Sequence, residues 1–334
     1  MKKVGQADIA KRLGISKMAV SKALRDKGGI SKEMKKKVLV LAEEMGYRPN
    51  HIAKSLTKGE TKLIGIIIPG FNGQFVGNLL DGVAQESHKH GYNLLPMLEN
   101  DIFSKSGNAL NHILQYQPDG LIVHTLKPHD EVFNKLKTEG INIVFIGQER
   151  SKVVSVCSDD FRGSYMAVNY LIECGHKHIM YVRWPDTDNY GANLRYEGYK
   201  FALMQAKIKF HKEYVVNAPY STFTNHALKC LRNHPEITAI SCFNDEFAAP
   251  LLGAMLEAGI KVPQEVSLIG FGDDIRFPHL LKPALTTISQ NSKDVGRIAV
   301  RTILDLKADL PINAETLLSC DIIERDSVAP CCDP

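Results

Sequence analysis

Six short stretches concentrate side chains that could hold a small molecule: PGFNGQF (69–75), HTLKP (124–128), GQERS (147–151), RWPDTDNYGANLR (183–195), NDEF (244–247) and GFGDD (270–274). They offer aromatic rings for stacking, amides and carboxylates that pair with hydroxyls, and the guanidinium of Arg195. That mixture suits a small polyhydroxylated ligand. Gln148, Trp184 and Asn189 qualify as liners from their position alone. A second set, Lys17, Met18, Ser21 and Lys22, sits near the N-terminus on a short helical pattern and has no core to serve.

Other arrangements would signal catalysis or metal binding, and they fail on spacing. There is no Gly-x-x-x-x-Gly-Lys phosphate loop, His-Glu-x-x-His or Gly-x-Ser-x-Gly elbow. Asp159-Asp160 and Asp273-Asp274 are carboxylate pairs, but adjacent residues on one loop rarely face one site. Cys174-Gly-His176-Lys-His178 superficially resembles a metal cluster, yet lacks the paired spacing that zinc needs. The seven cysteines mostly sit in apolar runs as small hydrophobes, and Cys331-Cys332 is expected in a frayed tail. No enzyme, metal or cofactor is therefore expected.

Charge separates the chain into two parts. Residues 1–62 hold 16 Lys and Arg against 6 Asp and Glu, whereas the rest holds 25 against 31. A basic head on an acidic body points to a polyanionic partner, with nucleic acid first. At 44% hydrophobic and 23% charged, the composition fits a soluble globular protein of two or three domains. No run of about 18 apolar residues exists to span a membrane. The N-terminus lacks a secretory apolar core, so a cytoplasmic location is expected.

The elements that must position these groups are legible in outline. In the head, a helix from Gln6 to Leu13 is stopped by Gly14, and Ser16 caps a second, from Lys17 to about Arg25. Ser31 caps a third, with Met34, Val38, Leu41, Ala42 and Met45 as its core stripe. The spacing Ala10-x3-Gly14-x5-Val20 predicts a helix-turn-helix: a small residue for close crossing, a glycine for the left-handed turn, an apolar residue to seal the angle. In the body, near-continuous apolar strands are expected at 63–68, 93–98, 120–125, 141–146, 178–182, 213–216, 239–243 and 266–271, separated by amphipathic helices. This predicts two doubly wound lobes with parallel sheets covered on both faces. Ligands in such sheets bind beyond the carboxyl ends of the strands, which selects the six loops above.

Two further motifs carry a resemblance. ADIAKRLGISKMAVSKAL, followed by GYRPNHIAKSLTKG, resembles the N-terminus of the lac repressor (LacI/GalR) family of bacterial transcription regulators, and the likeness runs through to IIERDSV near the end. The family resemblance implies an α/β architecture: a three-helix helix-turn-helix DNA-binding domain over 1–48, a hinge helix over 49–61, and a two-lobed periplasmic-binding-protein-like domain over 62–334. Its lobes are expected at about 62–158 with 290–319, and 159–289 with 320–330.

Residue by residue, Lys17, Met18 and Lys22 match positions that read major-groove base edges, and Ser16 and Ser21 match phosphate contacts. Asn50, Ala53 and Leu56 match the hinge, with Leu56 as the wedge that enters a minor-groove base step. Such a short helix needs a partner to form, because nucleation is costly. Phe75, Arg195, Asn244 and Asp273 match ligand-binding positions; one extra residue before Pro283 leaves Asp274 as the alternative to Asp273. The chain departs from the family at Ala19 (usually Thr), Lys22 (usually Arg), Gly147 (often Asp) and Asn189 (Arg in purine-responsive members).

The resemblance implies a homodimeric repressor of a carbohydrate-use operon. Its partners would be double-stranded, pseudo-palindromic operator DNA and a sugar-like effector. The alternatives are a purine- or nucleoside-responsive regulator and a sugar-binding transport protein.

Overall fold

The computed structural model describes residues 4–24, 29–47, 60–103, 109–125, 130–147, 153–185, 189–273 and 281–331. The chain divides into two compact units, Met1–Thr61 and Lys62–Pro334. Gln148, Asp274, Asn50, Ala53 and Leu56 lie outside the described residues, as does Arg25 at the expected end of the second helix.

The first unit contains α1 (Gln6–Leu13), α2 (Lys17–Leu24) and α3 (Lys32–Glu44). Gly14 ends α1 at φ 66°, ψ 30°, and its N–H returns to the Ala10 carbonyl. A side chain would be strained in that left-handed turn, so glycine is the residue that lets the chain reverse. Ser31 Oγ accepts the Met34 N–H at 3.2 Å and caps α3. The core is Ile9, Ala10, Val20, Ala23, Val38 and Ala42, with Leu13, Leu24, Leu41 and Met45 half-buried around it. Small residues at the crossings let three short helices pack tightly enough to exclude water.

The second unit alternates strands and helices: β1 (Leu63–Ile68), α4 (Gln74–Lys89), β2 (Asn93–Leu98), α5 (Glu99–Ile102), α6 (Ala109–Leu114), β3 (Gly120–Val123), α7 (Asp130–Thr138), β4 (Ile143–Ile146) and β5 (Val154–Ser158). There follow α8 (Asp160–Glu173), β6 (Ile179–Arg183), α9 (Tyr190–Gln205), β7 (Val215–Asn217), α10 (Phe223–Asn233), β8 (Ala239–Cys242), α11 (Asp245–Glu257) and β9 (Ser267–Ile269). The last elements are β10 (Thr287–Ser289), α12 (Ser292–Lys307), β11 (Glu315–Leu318) and β12 (Asp321–Ile323).

One parallel sheet has the order β11-β5-β4-β3-β1-β2, and the other β7-β6-β8-β9. β10 pairs antiparallel with β12, and isolated bridges tie Ile269 to Thr286 and Gly272 to Ser289, so this ribbon extends the second sheet. The chain thus passes between the lobes after β5, after β10 and after β11. The order 2-1-3 at the start of the first sheet comes from right-handed crossovers, which bury both faces. α4 and α12 cross closely on that sheet because Gly82 and Gly296 each lie where a Cβ would strike the other helix's backbone.

The central strands behave as expected, with Ile64, Ile66, Ile67 and Ile68 wholly buried. Four strands are additions to the expected set: β5, β10, β11 and β12. The expected strand at 213–216 instead begins as a 3-10 turn, Lys212–Tyr214, because Tyr214 turns inward. Among the described residues, no helix is long and apolar enough to cross a membrane.

Candidate functional site

In the helix-turn-helix, the exposed face of α2 is set by what the core excludes. Val20 and Ala23 point inward, which leaves Lys17, Met18 and Lys22 outside, and Met18 is 69% exposed. Met18 is therefore outside the core of the first unit. Ser16 Oγ accepts the Ala19 N–H at 3.1 Å, so this residue caps α2 from an exposed position. Ser21 is half-buried on the same helix.

In the second unit, Arg195 is the centre of a buried knot at the carboxyl ends of the second sheet. It lies on α9 and is 8% exposed. Its Nε donates to Asp160 Oδ1 at 2.8 Å, and Nη1 donates to the Phe243 carbonyl at 2.8 Å. The guanidinium lies 3.9 Å over the Phe271 ring and 4.6 Å over that of Phe243. Gln290 Nε2 donates to the same Asp160 Oδ1 at 3.2 Å, and Ser158 Oγ donates to the Gln290 carbonyl at 2.8 Å. Burial pushes the Asp160 carboxyl up and the Arg195 charge opposes it. Asp160 follows the first inter-lobe crossing and Gln290 lies at the second, so Arg195 ties the strand ends to both crossings. Two of its nitrogens are engaged within the protein, and Nη2 has no protein acceptor among the described residues.

The other second-lobe candidates gather around this knot. Asn189 Oδ1 accepts the Ala192 N–H at 2.9 Å and caps α9, while Asn244 Oδ1 accepts the Phe247 N–H at 3.1 Å and caps α11. Each cap uses the amide oxygen and leaves the amide nitrogen as a donor. Trp184 is half-buried, with its ring 5.3 Å from Phe243 and 5.6 Å from Phe247. Asp273, at φ 54°, accepts from Arg325 Nη2 at 2.8 Å; that arginine also donates to the Leu285 carbonyl. Its carboxylate is thus held by a protein cation rather than left open.

In the first lobe, Phe75 is half-buried against His124, ring centroids 5.2 Å apart. His124 Nδ1 lies 3.4 Å from the Ile146 carbonyl, which can only accept, so Nδ1 carries the proton and Nε2 is an acceptor. Burial lowers the His124 pKa and keeps the ring neutral. No described contact joins Phe75 to Arg195. The lobes do approach nearby, since a Cβ on Gly73 would stand 3.0 Å from Glu246 Oε1.

Three residues escaped the sequence reading. Asp160 was weighed only as a carboxylate pair. His124 sits in a flagged loop but was not singled out. Tyr220 follows β7 and is 57% exposed, and its ring lies tilted against Phe223 and edge-on to Phe247. Pro250 within α11 has no N–H for the Glu246 carbonyl, and Tyr220 OH donates to that carbonyl at 3.3 Å. The signal for Tyr220 was the same strand-end rule, which was not applied to the loop after the expected strand at 213–216.

Residues 7–50 match the family model described as bacterial regulatory proteins, lacI family, and residues 168–328 match the periplasmic binding protein-like domain. The chain is 30% identical over 331 residues to the HTH-type transcriptional repressor PurR of Pectobacterium carotovorum, covering 96% of both. Its fold matches the lac repressor dimer bound to operator and the anti-inducer ONPF, with a TM-score of 0.84 at 21% identity, over 98% of this chain and 100% of that one. It also matches a cellobiose complex of the transcriptional regulator CelR, with a TM-score of 0.70 at 21% identity, over 97% and 100%.

Proposed function

The chain belongs to the lacI family of bacterial regulatory proteins and is a transcriptional regulator, and we propose that it works as a homodimeric repressor controlled by a sugar-like effector between its lobes. Residues 1–48 bind pseudo-palindromic operator DNA, 49–61 form the hinge, and 62–334 hold the effector and the dimer contacts. The two lobes are assigned to about 62–158 with 290–319, and 159–289 with 320–330. Lys17, Met18 and Lys22 read base edges, Ser16 and Ser21 fix register on phosphates, and Asn50, Ala53 and Leu56 engage the minor groove. The protein acts in the cytoplasm, where its operator is.

The observation that carries the effector half is the Arg195 knot. The guanidinium lies at the strand ends, where such folds take ligands, and its carboxylate partner stands beside an inter-lobe crossing. An effector oxygen on Nη2, with donors from Asn189 and Asn244 and stacking on Trp184 or Phe75, changes the interactions of a group bonded to Asp160 after the first crossing, and through it linked to Gln290 at the second. Gln148 and Asp273 complete the proposed lining. Lobe closure then biases whether two hinges pair as helices on DNA, a two-state coupling of cleft to operator.

A planar purine- or nucleoside-type effector is the second reading. The ring cluster of Trp184, Tyr220, Phe243 and Phe247 favours it, because the half-buried Trp184 and exposed Tyr220 present ring faces that a flat ligand can cover, backed by the buried Phe243 and Phe247. A thermal-shift panel of sugars, sugar acids, nucleosides and purine bases separates the two. A ligand at 100 times its dissociation constant stabilises the protein by about 2.7 kcal/mol. A hit among sugars that also changes operator affinity supports the first reading; a hit confined to purines replaces it with the second.

A further inference from the structure

Residues 327–331 are strapped to the second lobe rather than frayed. Ser327, wholly buried, donates Oγ–H to the Leu268 carbonyl at 2.6 Å and accepts the Thr286 N–H at 2.8 Å. Ala329 N–H donates to Ser267 Oγ at 3.1 Å, and its carbonyl lies 3.0 Å from His176 Nε2. A carbonyl only accepts, so the buried, neutral His176 carries its proton on Nε2. Nδ1, 2.9 Å from Thr238 Oγ1, then accepts the Thr238 proton, and the Thr238 oxygen accepts Cys331 Sγ–H at 3.7 Å. Finally, Cys331 N–H donates to the Cys174 carbonyl at 2.7 Å. The expectation of a loose tail is therefore corrected at Cys331; Cys332 lies outside the described residues.

This arrangement sets two thiols apart from the rest. Among the described free cysteines, Cys157, Cys230, Cys242 and Cys320 are buried, whereas Cys174 and Cys331 are both partly exposed. Those two are neighbours. With standard bond lengths, their 2.7 Å backbone hydrogen bond cannot leave the α-carbons more than about 6.6 Å apart. Disulfides form at about 4.4–6.8 Å. A cavity of about 190 Å³, lined by His176, Thr238, Pro263, Glu265, Pro330 and Cys331, gives a small oxidant access to the Cys331 side.

We propose that Cys174 and Cys331 form an oxidation site: a thiol pair that takes a two-electron oxidant of the peroxide class and closes to a disulfide. The Cys331 thiolate attacks one peroxide oxygen; the O–O bond breaks, giving a sulfenic acid and one water. Cys174 then attacks the Cys331 sulfur, and the sulfenic oxygen leaves as a second water. Two thiols and one peroxide thus become one disulfide and two waters. Closure turns the Cys331 side chain from Thr238 toward Cys174. Burial and the Glu324 and Glu173 carboxylates raise the Cys174 thiol, which keeps it protonated, leaves the first attack on peroxide to Cys331 and makes closure the slower step. Cys174 is also the C-cap of α8, so the bridge fastens the C-terminal strap to that helix end. It closes a loop of roughly 160 residues, and long loops gain most from closure in the chain-entropy account.

The test uses the full-length protein, reduced and then titrated with hydrogen peroxide before free thiols are blocked and the peptides mapped. The expected product is a dithiothreitol-reversible link between the peptides 163–177 and 326–334, with thermal unfolding of the second lobe raised by several degrees. Cys332→Ser should keep the link, and Cys331→Ser and Cys174→Ser should each abolish it. All three should unfold like the parent when reduced, which excludes misfolding as the cause. A link that survives Cys331→Ser but not Cys332→Ser overturns the proposal. So does a bridge confined to Cys331-Cys332, or no link at peroxide levels that oxidise exposed thiols.

Discussion

Removing Arg195 should destabilise the second lobe as well as weaken effector binding. Arg195→Ala leaves the Asp160 carboxylate, 7% exposed, with Gln290 as its remaining side-chain donor among the described residues, at 3.2 Å. Breaking a buried ion pair by deleting one partner costs about 3–5 kcal/mol, because the other charge stays desolvated. Asp160→Ala should cost somewhat less, since the guanidinium keeps the Phe243 carbonyl and two ring faces. The double variant should therefore lose less than the sum of the two, with a coupling of at least about 2 kcal/mol. Trp184 is the single tryptophan and packs on Phe243 beside the knot, so indole fluorescence in a urea titration reports on this lobe specifically.

The pH dependence has a definite sign. A buried carboxyl whose folded pKa is raised binds protons more readily folded than unfolded, so its penalty grows as pH rises and is relieved as pH falls. Arg195→Ala removes the opposing charge, and its deficit should shrink on acidification toward the carboxylate range. An additive cycle, a deficit below about 1 kcal/mol, or no relief at low pH would refute the reasoning.

Three further outcomes follow from other parts of the molecule. Glu86, 5% exposed, accepts from Arg301 at 2.8 Å and His90 at 3.2 Å, and the Arg301 hydrogen bond above all holds its carboxyl at about 2. Its contribution is present above the ordinary carboxylate value and lost as pH falls toward 2; Glu86→Gln should cost about 1–2 kcal/mol at neutral pH, discounted for its solvated partners, and nothing in strong acid. Leu56→Gly should reduce operator bending and affinity while effector binding persists, which a gel-shift bending assay and calorimetry can compare. Lys22→Ala should cost roughly 1–3 kcal/mol on the preferred site and much less on random DNA, read by competition titration.

Much of the fold is written in local sequence, and the site less so. Ala10, Gly14 and Val20 specify the helix-turn-helix because each acts within two turns of its neighbours. The strands β1, β3, β4 and β8 are apolar runs that only a covered parallel sheet can bury. β11 shows neither signal: as an edge strand it alternates exposed and half-buried residues, and its pairing with β5 depends on a partner far back in the chain. The knot was illegible for the same reason. Arg195 could be picked out by itself, but Asp160 gains its role from partners 35 and 130 residues away. Asn189 and Asn244 were chosen for a ligand, and the structure shows each capping a helix, a role that spacing does not tell apart from the first.

The most direct test of the central claim is equilibrium binding of the full-length protein to DNA selected from a random pool, measured against salt with and without the effector found by thermal shift. The account predicts a two-fold symmetric site, and a log–log salt slope of about −0.9 for each phosphate neutralised. It also predicts that the effector changes affinity for that site. Selected DNA without two-fold symmetry, a flat salt response, or an affinity indifferent to a bound effector would contradict it.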